Sequence, residues 1–462
     1  MEKHVEDTVA GGTWIFLSSL TVSLSGFVFW LVVTKLVGAE SIGIASVVVS
    51  SASIAATLTS AGMNIAVIRE SAAKGPRTLS VSLLLAVVAG AVAASVSVPL
   101  IGGLGYSYLA TYTTLLALLS TVSIALTCSL IGLERFGSYF TAVAAGSVAK
   151  LGVGVALAAM GLGFAAPILG YLAHPLTSSI AALAFLALSI SRIAYPSRED
   201  LRSLAMLTLS NYPYAISNQL LTMLSVYIFA YLVREAAPTG ILYISMMVAL
   251  AVSAIPNSLL RAALPIGTRR NTEPFAESLR IGLVLATPIV VAVIAAPRTI
   301  LTIINPELVE GADTLRIMML SITPLATLTA TITKLNKETN TKMLTTIGVV
   351  RLAILVAILP SLTKTLGITG AATAYLVANA LLLPVALRHI PGAYRSIAIL
   401  WGVHIMAVLL GCTSPVNEPA TAIALTMMSI IAVHTARIAT VNEILNTLKT
   451  AVNSMLRKPR RM

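Results

Sequence analysis

The sequence predicts an all-α polytopic membrane protein of about fourteen transmembrane helices, and three observations carry that reading. Of the 462 residues, 57% are hydrophobic and only 10% charged, with mean hydropathy +0.93; soluble globular proteins carry roughly 25% charged residues. Apolar stretches of about 20 residues, the length that crosses a hydrocarbon core, recur from end to end. Basic residues gather in the short segments between them.

The apolar runs divide into spans near 13–36, 41–63, 79–102, 107–132, 138–160, 164–190, 208–233, 239–260, 279–303, 314–333, 343–361, 367–387, 395–412 and 420–438. The first two are parted by LVVTKLVGAESIG (31–43), where Lys35, Glu40 and two glycines break the run. Arg69, Lys74 and Arg77 precede the third, Arg135 the fifth, and Arg192, Arg198 and Arg202 the seventh. YLVREAAPTGILY (231–243) then repeats the rhythm of the first break before the eighth. Arg261, Arg269, Arg270 and Arg280 flank the ninth, and the acids Glu307, Glu310 and Asp313 mark the turn into the tenth. Lys334, Lys337 and Lys342 precede the eleventh, Lys364 the twelfth, and Arg388 and Arg395 the thirteenth.

With a cytoplasmic N-terminus, 23 of the 30 Lys and Arg residues face inward, and four (Lys35, Arg234, Arg298 and Lys364) lie in outer turns. The inside excess places both termini in the cytoplasm of a multi-pass plasma-membrane protein. The net charge of +13 is then mostly an orientation signal. It argues for contact of the basic tail, 441–462, with anionic lipid and against nucleic acid. The start MEKHVEDT is acidic and the following apolar stretch is too long for a signal peptide, so no cleavable signal is expected. Cys128 and Cys412 stand alone, which excludes a cysteine metal site or disulfide from the expectations; no metal or cofactor is expected. The outer acids are too sparse for a calcium loop. No phosphate loop, no Ser-His-Asp set and no sizeable outer turn is present, so no catalytic residue is assigned and the chain is not read as an enzyme.

Three basic residues remain inside spans: Lys150, Arg316 and Arg351. Lys150 and Arg351 lie about a dozen residues from the cytoplasmic end of their spans, about 18 Å deep at 1.5 Å per residue. A cation there costs about 2.5–3.5 kcal/mol, and no acid occurs at that depth. A hydrated cavity holding an anion resolves the cost, because phosphate accepts charge-assisted hydrogen bonds from both residue types. Bonds to helix carbonyls are the competing explanation. Arg316 either pairs with Asp313 three residues earlier or gives a secondary anion contact. Arg69 and Arg261, each closing the second span of a half, are orientation residues or collect an anionic headgroup.

The chain also echoes itself. SVAKLG (147–152) matches GVVRLA (348–353), setting Lys150 opposite Arg351, and LGFAAPILGYL (162–172) matches LGITGAATAYL (366–376). Together with the two similar breaks, this predicts parallel halves, 1–195 for helices 1–6 and 196–390 for helices 7–12. Helices 13–14 (391–440) and the tail follow. Transporters built from repeats bind substrate near the midplane between them. Polar residues recur at helical spacing along the first span (Ser18, Thr21, Ser25) and the seventh (Asn211, Tyr214, Asn218, Thr222, Ser225). They face protein or water, so Asn211, Tyr214, Asn218, Thr222 and Trp14 are candidate saccharide contacts; helix–helix bonding is the alternative. His174, next to Pro175, is expected to be a hydrogen-bonded imidazole at a kink. Lys35 with Glu40 and Arg234 with Glu235 are expected to pair.

KLVGAESIG (35–43), GMNIAVIRESAAKG (62–75), INPELVEGADTLRIM (304–318) and LNKETNTKML (335–344) resemble, in order, segments of the polysaccharide flippases of the multidrug/oligosaccharidyl-lipid/polysaccharide exporter superfamily. The resemblance spans about residues 10–390. It implies two six-helix lobes around a central cavity, two further helices, and alternating-access translocation of a saccharide linked to polyprenyl or dolichyl (pyro)phosphate, with membrane lipids as partners. A monomer is expected. The lipid II branch carries arginines in its first two helices, absent here around Phe29–Trp30 and Thr57–Leu58. The cation-coupled multidrug branch carries carboxylates within its lobes, also absent here. A multidrug exporter of the same superfamily and a non-transporting scaffold for glycan-assembly enzymes are the alternative functions.

Overall fold

The computed structural model describes residues 2–188, 197–270, 273–338, 340–413, 418–435 and 438, with side chains at all of these except 2–13, 16, 213–215, 217–219, 261, 262, 264–270, 412 and 413. All secondary structure among the described residues is helical, and each of the fourteen expected spans falls on helix. Helix α1 (Glu2–Ser60) carries the first two and bends at Gly38, whose φ of 78° suits a residue without a Cβ. The chain continues through α2 (Met63–Lys74), α3 (Leu79–Gly103), α4 (Ala110–Gly132), α5 (Phe136–Ala159), α6 (Ala165–Ala187), α7 (Arg198–Val233) and α8 (Ala236–Arg270). Helices α9 (Phe275–Ala295) and α10 (Pro297–Ile304) form the ninth span, and α11 (Ala312–Leu320) with α12 (Ile322–Lys337) the tenth. Helix α13 (Thr341–Ala380) bends at Gly367 and, with α14 (Leu383–His389), supplies the eleventh and twelfth; α15 (Tyr394–Thr413) and α16 (Glu418–Thr435) complete the set.

Ten segments among the described residues are long and apolar enough to cross a membrane. Three of them, Leu17–Ser60 with 44 residues, Met63–Gly103 with 41 and Thr341–His389 with 49, exceed twice the roughly 20 residues of one crossing; the first and the last contain the bends. The tail 441–462 lies outside the described residues.

The chain forms two compact units. The first comprises Leu17–Met247 with Thr341–Ala378; the second comprises Val248–Asn340 with the described residues from Asn379 onward and those before Leu17. In the first, α7 is tied to α1, α2 and α3 at several levels. Its N-cap Ser197 accepts from the Asp200 amide, satisfying one of the donors a helix start leaves open. Lys74 Nζ bridges Asp200 at 2.9 Å and buried Glu70 at 2.8 Å, and Ser203 Oγ donates to Glu70 Oε1 at 2.9 Å. Higher up, the Tyr212 hydroxyl donates to Leu58 O and the Tyr227 hydroxyl to Leu100 O.

The two similar breaks read in the sequence meet within this unit. A Cβ on Gly43 would lie 1.8 Å from the Ala236 carbonyl oxygen, and one on Gly240 2.1 Å from that of Ala39. The contact is reciprocal: Ala39-x-x-x-Gly43 of α1 against Ala236-x-x-x-Gly240 of α8, a small-residue crossing that lets two backbones touch. Neither expected ion pair forms: among the described residues Lys35 and Glu40 share no salt bridge, nor do Arg234 and Glu235. The bend at Gly38 separates the first pair. Arg234 takes the left-handed conformation at the end of α7, φ 57°, and its guanidinium lies 5.6 Å from the Tyr231 ring centroid.

The second unit is built around Leu260, Leu279, Leu283, Ala326, Ala330, Ile397 and Leu400. Buried within it, His404 of α15 joins α9 and α12 through Thr287 Oγ1 and Thr323 Oγ1, both at 3.1 Å. Thr287 spends its own proton on Leu283 O at 2.8 Å, so it accepts from His404 Nε2–H. In the neutral imidazole with its proton on Nε2, Nδ1 accepts from Thr323.

Candidate functional site

The site is assembled from a glycine-lined crossing of α5 and α6. Residues 146, 150 and 154 stand on one face of α5 at helical spacing. A Cβ on Gly146 would meet Ser178 Oγ at 2.0 Å and His174 O at 2.7 Å, and one on Gly170 would meet Gly154 Cα at 2.9 Å. The notch left by Gly154 and Gly170 holds the ring of Phe29, since a Cβ at either position would reach Phe29 Cε2 within 2.4 and 2.8 Å. Without side chains at these positions α6 comes close to α5, and Lys150 is enclosed between them.

Lys150 is 4% exposed. Its ammonium lies 5.5 Å from the centroid of Phe29 and 5.4 Å from that of Tyr171, a cation held by two ring faces. Among the described residues it has no ion pair and no hydrogen bond. Behind the rings stand Trp30 and Tyr243, both buried: Trp30 Nε1 donates to the Tyr171 hydroxyl at 3.3 Å, and the Trp30 and Tyr243 centroids are 4.8 Å apart. Ser147 Oγ, Ser178 Oγ and His174 Nε2, on the same two helices, are buried and without a hydrogen-bond partner among the described residues. Among the described residues, the hydrogen bond expected of His174 is missing at Nε2.

Arg351 is 5% exposed on the first limb of α13, and Tyr375 on the second limb acts on it electrostatically. Tyr171 and Tyr375 occupy the same place in the matched stretches 162–172 and 366–376. Each deep cation thus has the tyrosine of the equivalent repeat position as its neighbour.

The other candidates separate into distinct settings. Arg316 is committed in the second unit: its Nε donates to Ile294 O at 3.1 Å, one terminal nitrogen meets Asp313 at 2.7 Å and the other buried Glu418 at 4.0 Å. Glu418 in turn accepts from the Thr299 amide at 2.9 Å and hydroxyl at 3.1 Å, so this cluster pins the start of α16 to α10 and α11. Arg69 is exposed near the end of α2. Asn211 donates to its own helix at Leu207 O, Ser225 to Leu221 O, and Ser25 to Val22 O; Thr222 and Trp14 are half-buried. The side chains of Tyr214, Asn218 and Arg261 lie outside the described residues. No group of three or more His, Cys, Asp or Glu side chains placed to hold a metal occurs among the described residues.

The aromatic enclosure, Phe29, Trp30, Tyr171 and Tyr243, is not among the residues the sequence singles out. Its one available signal was the tyrosine shared by the two matched stretches.

No family model and no curated protein matches the chain. Solved structures share its fold. An inward-facing multidrug resistance MATE family transporter of the MOP superfamily matches with TM-score 0.59 at 16% identity, covering 84% of this chain and 98% of that one. The lipid II flippase MurJ, in an inward closed conformation, matches with TM-score 0.67 at 13% identity, covering 92% and 97%. A mutant of the Vibrio cholerae MATE transporter VcmN matches with TM-score 0.52 at 16% identity, covering 87% and 99%. The chain therefore has the all-helical fold of these multi-pass transporters.

Proposed function

We propose that the protein is a flippase that moves a lipid-(pyro)phosphate-linked oligosaccharide from the inner to the outer leaflet by alternating access. Its lobes are residues 1–195 and 196–390, both termini are cytoplasmic, and Lys150 and Arg351 attract the anionic group. The observation that carries this reading is the state of Lys150: among the described residues, a buried ammonium with no ion pair, set over two ring faces. Such a cation gains most from a phosphate, whose charge-assisted hydrogen bonds exceed two cation–π contacts of about 0.5–2 kcal/mol each. The partnerless hydroxyls of Ser147 and Ser178 add donors on the same helices. The lipid tail stays in the bilayer, and the polar residues of α7 serve the sugar. An inside-negative potential favours outward movement of the anion by about 2.3 kcal/mol per charge per 100 mV, which lessens the need for a buried carboxylate as a coupling site.

The second reading, a multidrug exporter, draws on the same aromatic rings, which suit an organic cation. Lys150 occupies those rings itself, so such a substrate meets like charge. Reconstitution in liposomes with lipid-linked saccharide tests the choice: protein-dependent loss of saccharide from the donor leaflet supports the flippase. Organic-cation efflux that survives Lys150→Ala, with no saccharide movement, supports the exporter.

A further inference from the structure

The corner between α14 and α15 carries a feature unrelated to the interior cations. A cavity of about 420 Å³ opens there, lined by Pro384, Leu387, Arg388, Pro391 and Tyr394. The corner is held firmly, because Ile390, Ala393 and Ile397 are buried in the core of the second unit with Leu279 and Leu400. Pro384 and Pro391 fix their own backbone and present no N–H, so this wall is apolar and preset. Arg388 and Arg395 are both exposed, and neither forms an ion pair among the described residues. No Asp or Glu occurs in the sequence between Glu338 and Glu418. Among the described residues, the acids of α9, of the segment before it and of the end of α12 are engaged elsewhere, Glu277 with Arg280, and Glu273 and Glu338 with Lys334. Tyr394 is 62% exposed, and tyrosine is enriched at the level where headgroups meet hydrocarbon.

We infer that this corner binds an anionic phospholipid of the inner leaflet, its phosphate on Arg388 and its glycerol and upper acyl carbons against Leu387 and the two prolines. A free anion has no use for the apolar wall, and a zwitterionic lipid leaves the surplus positive charge unanswered. An arginine meets phosphate bidentately, and anionic lipid is concentrated on the cytoplasmic leaflet. The leaflet assignment, though not the site, rests on the proposed cytoplasmic placement of this corner.

Native mass spectrometry of the full chain in detergent tests the inference with three probes: short-chain phosphatidylglycerol, phosphatidylcholine and inorganic phosphate. The expected result is binding of phosphatidylglycerol that weakens about tenfold in Arg388→Gln and partly recovers in Arg388→Lys, with both other probes at least about tenfold weaker. Equal binding in Arg388→Gln, in variants whose thermal midpoint matches the parent, would overturn it. So would inorganic phosphate competing as well as the lipid, or phosphatidylcholine binding equally. Leaflet is read separately, by labelling Gly392→Cys in a Cys128→Ser/Cys412→Ser background with an impermeant maleimide. Labelling from inside only is expected, and labelling from outside contradicts the inner leaflet. Detergent has no sides and the binding assay no transport, so failure of the flippase reading leaves this result standing.

Discussion

Placing a methyl group on each side of the α1–α8 crossing perturbs the molecule where its two similar breaks meet. In Gly43→Ala/Gly240→Ala the new Cβ atoms would begin 1.8 and 2.1 Å from the carbonyl oxygens of Ala236 and Ala39. Ordinary contact starts near 3.4 Å, so the helices must part by about 1.5 Å, because the obstructing atoms are backbone and no rotamer relieves them. Overpacking of this kind costs about 1–3 kcal/mol. If alternating access separates these tips, the same energy shifts the balance toward the parted state by about 5- to 150-fold. Spin labels at Lys35→Cys and Arg234→Cys, both exposed, in a background lacking Cys128 and Cys412, report the separation by pulsed dipolar spectroscopy. The expected result is a second, longer distance whose population rises in the double alanine variant. An unchanged distance distribution together with an unchanged thermal midpoint refutes the reasoning, since a backbone clash at both positions must appear in one or the other.

Three further outcomes follow from the same geometry. Lys150→Met keeps the length of the side chain and removes the buried charge. The relief of about 2.5–3.5 kcal/mol, less the two ring contacts, leaves a net stabilisation on the order of 1 kcal/mol; a higher thermal midpoint with slower translocation is expected, and a lower midpoint contradicts it. Glu418→Gln weakens the tie from α16 to Arg316 and the Thr299 amide by about 1–3 kcal/mol, seen as faster hydrogen exchange in α16, with equal exchange the opposing result. At acid pH, Asp200 is held below the usual carboxylate range by its hydrogen bonds to Ser197 and Lys74, and Glu273 by its bond to Lys334. Their stabilisation is present above the unfolded value of about 4 and is lost as pH falls through the lower folded value. The thermal midpoint of Asp200→Asn should therefore fall less than that of the parent between pH 5 and pH 3, and parallel curves count against this.

Much of the fold was legible because a membrane helix announces itself by length. Each of the fourteen apolar runs became helix, and the breaks at Gly38 and Gly367 fell where glycine and charge interrupt the pattern. Lys150, Arg351 and Arg316 were legible for a related reason, since a charge in an apolar run is conspicuous. Their surroundings were not. The Arg316–Glu418 contact joins residues a hundred positions apart, and nothing in the local pattern foretells it. Phe29, Trp30, Tyr171 and Tyr243 look like ordinary apolar residues in one dimension; they form an enclosure because Gly146, Gly154 and Gly170 let α6 approach α5. The pairing of Lys35 with Glu40 failed because sequence proximity does not survive a bend. Along the polar stripe of α7, Asn211 and Ser225 also bond their own helix, a choice that hydroxyl and amide side chains make without leaving a mark on their spacing.

The most direct test of the central claim is the initial rate of lipid-linked saccharide translocation in liposomes by the parent and by Lys150→Gln/Arg351→Gln, at equal amounts of folded protein and with an inside-negative potential imposed. The parent is expected to move the saccharide and the double variant to be slower by at least about tenfold, the loss of one charge-assisted hydrogen bond or more. Equal rates in the two proteins, or no movement of any phosphate-linked saccharide by the parent, would contradict it.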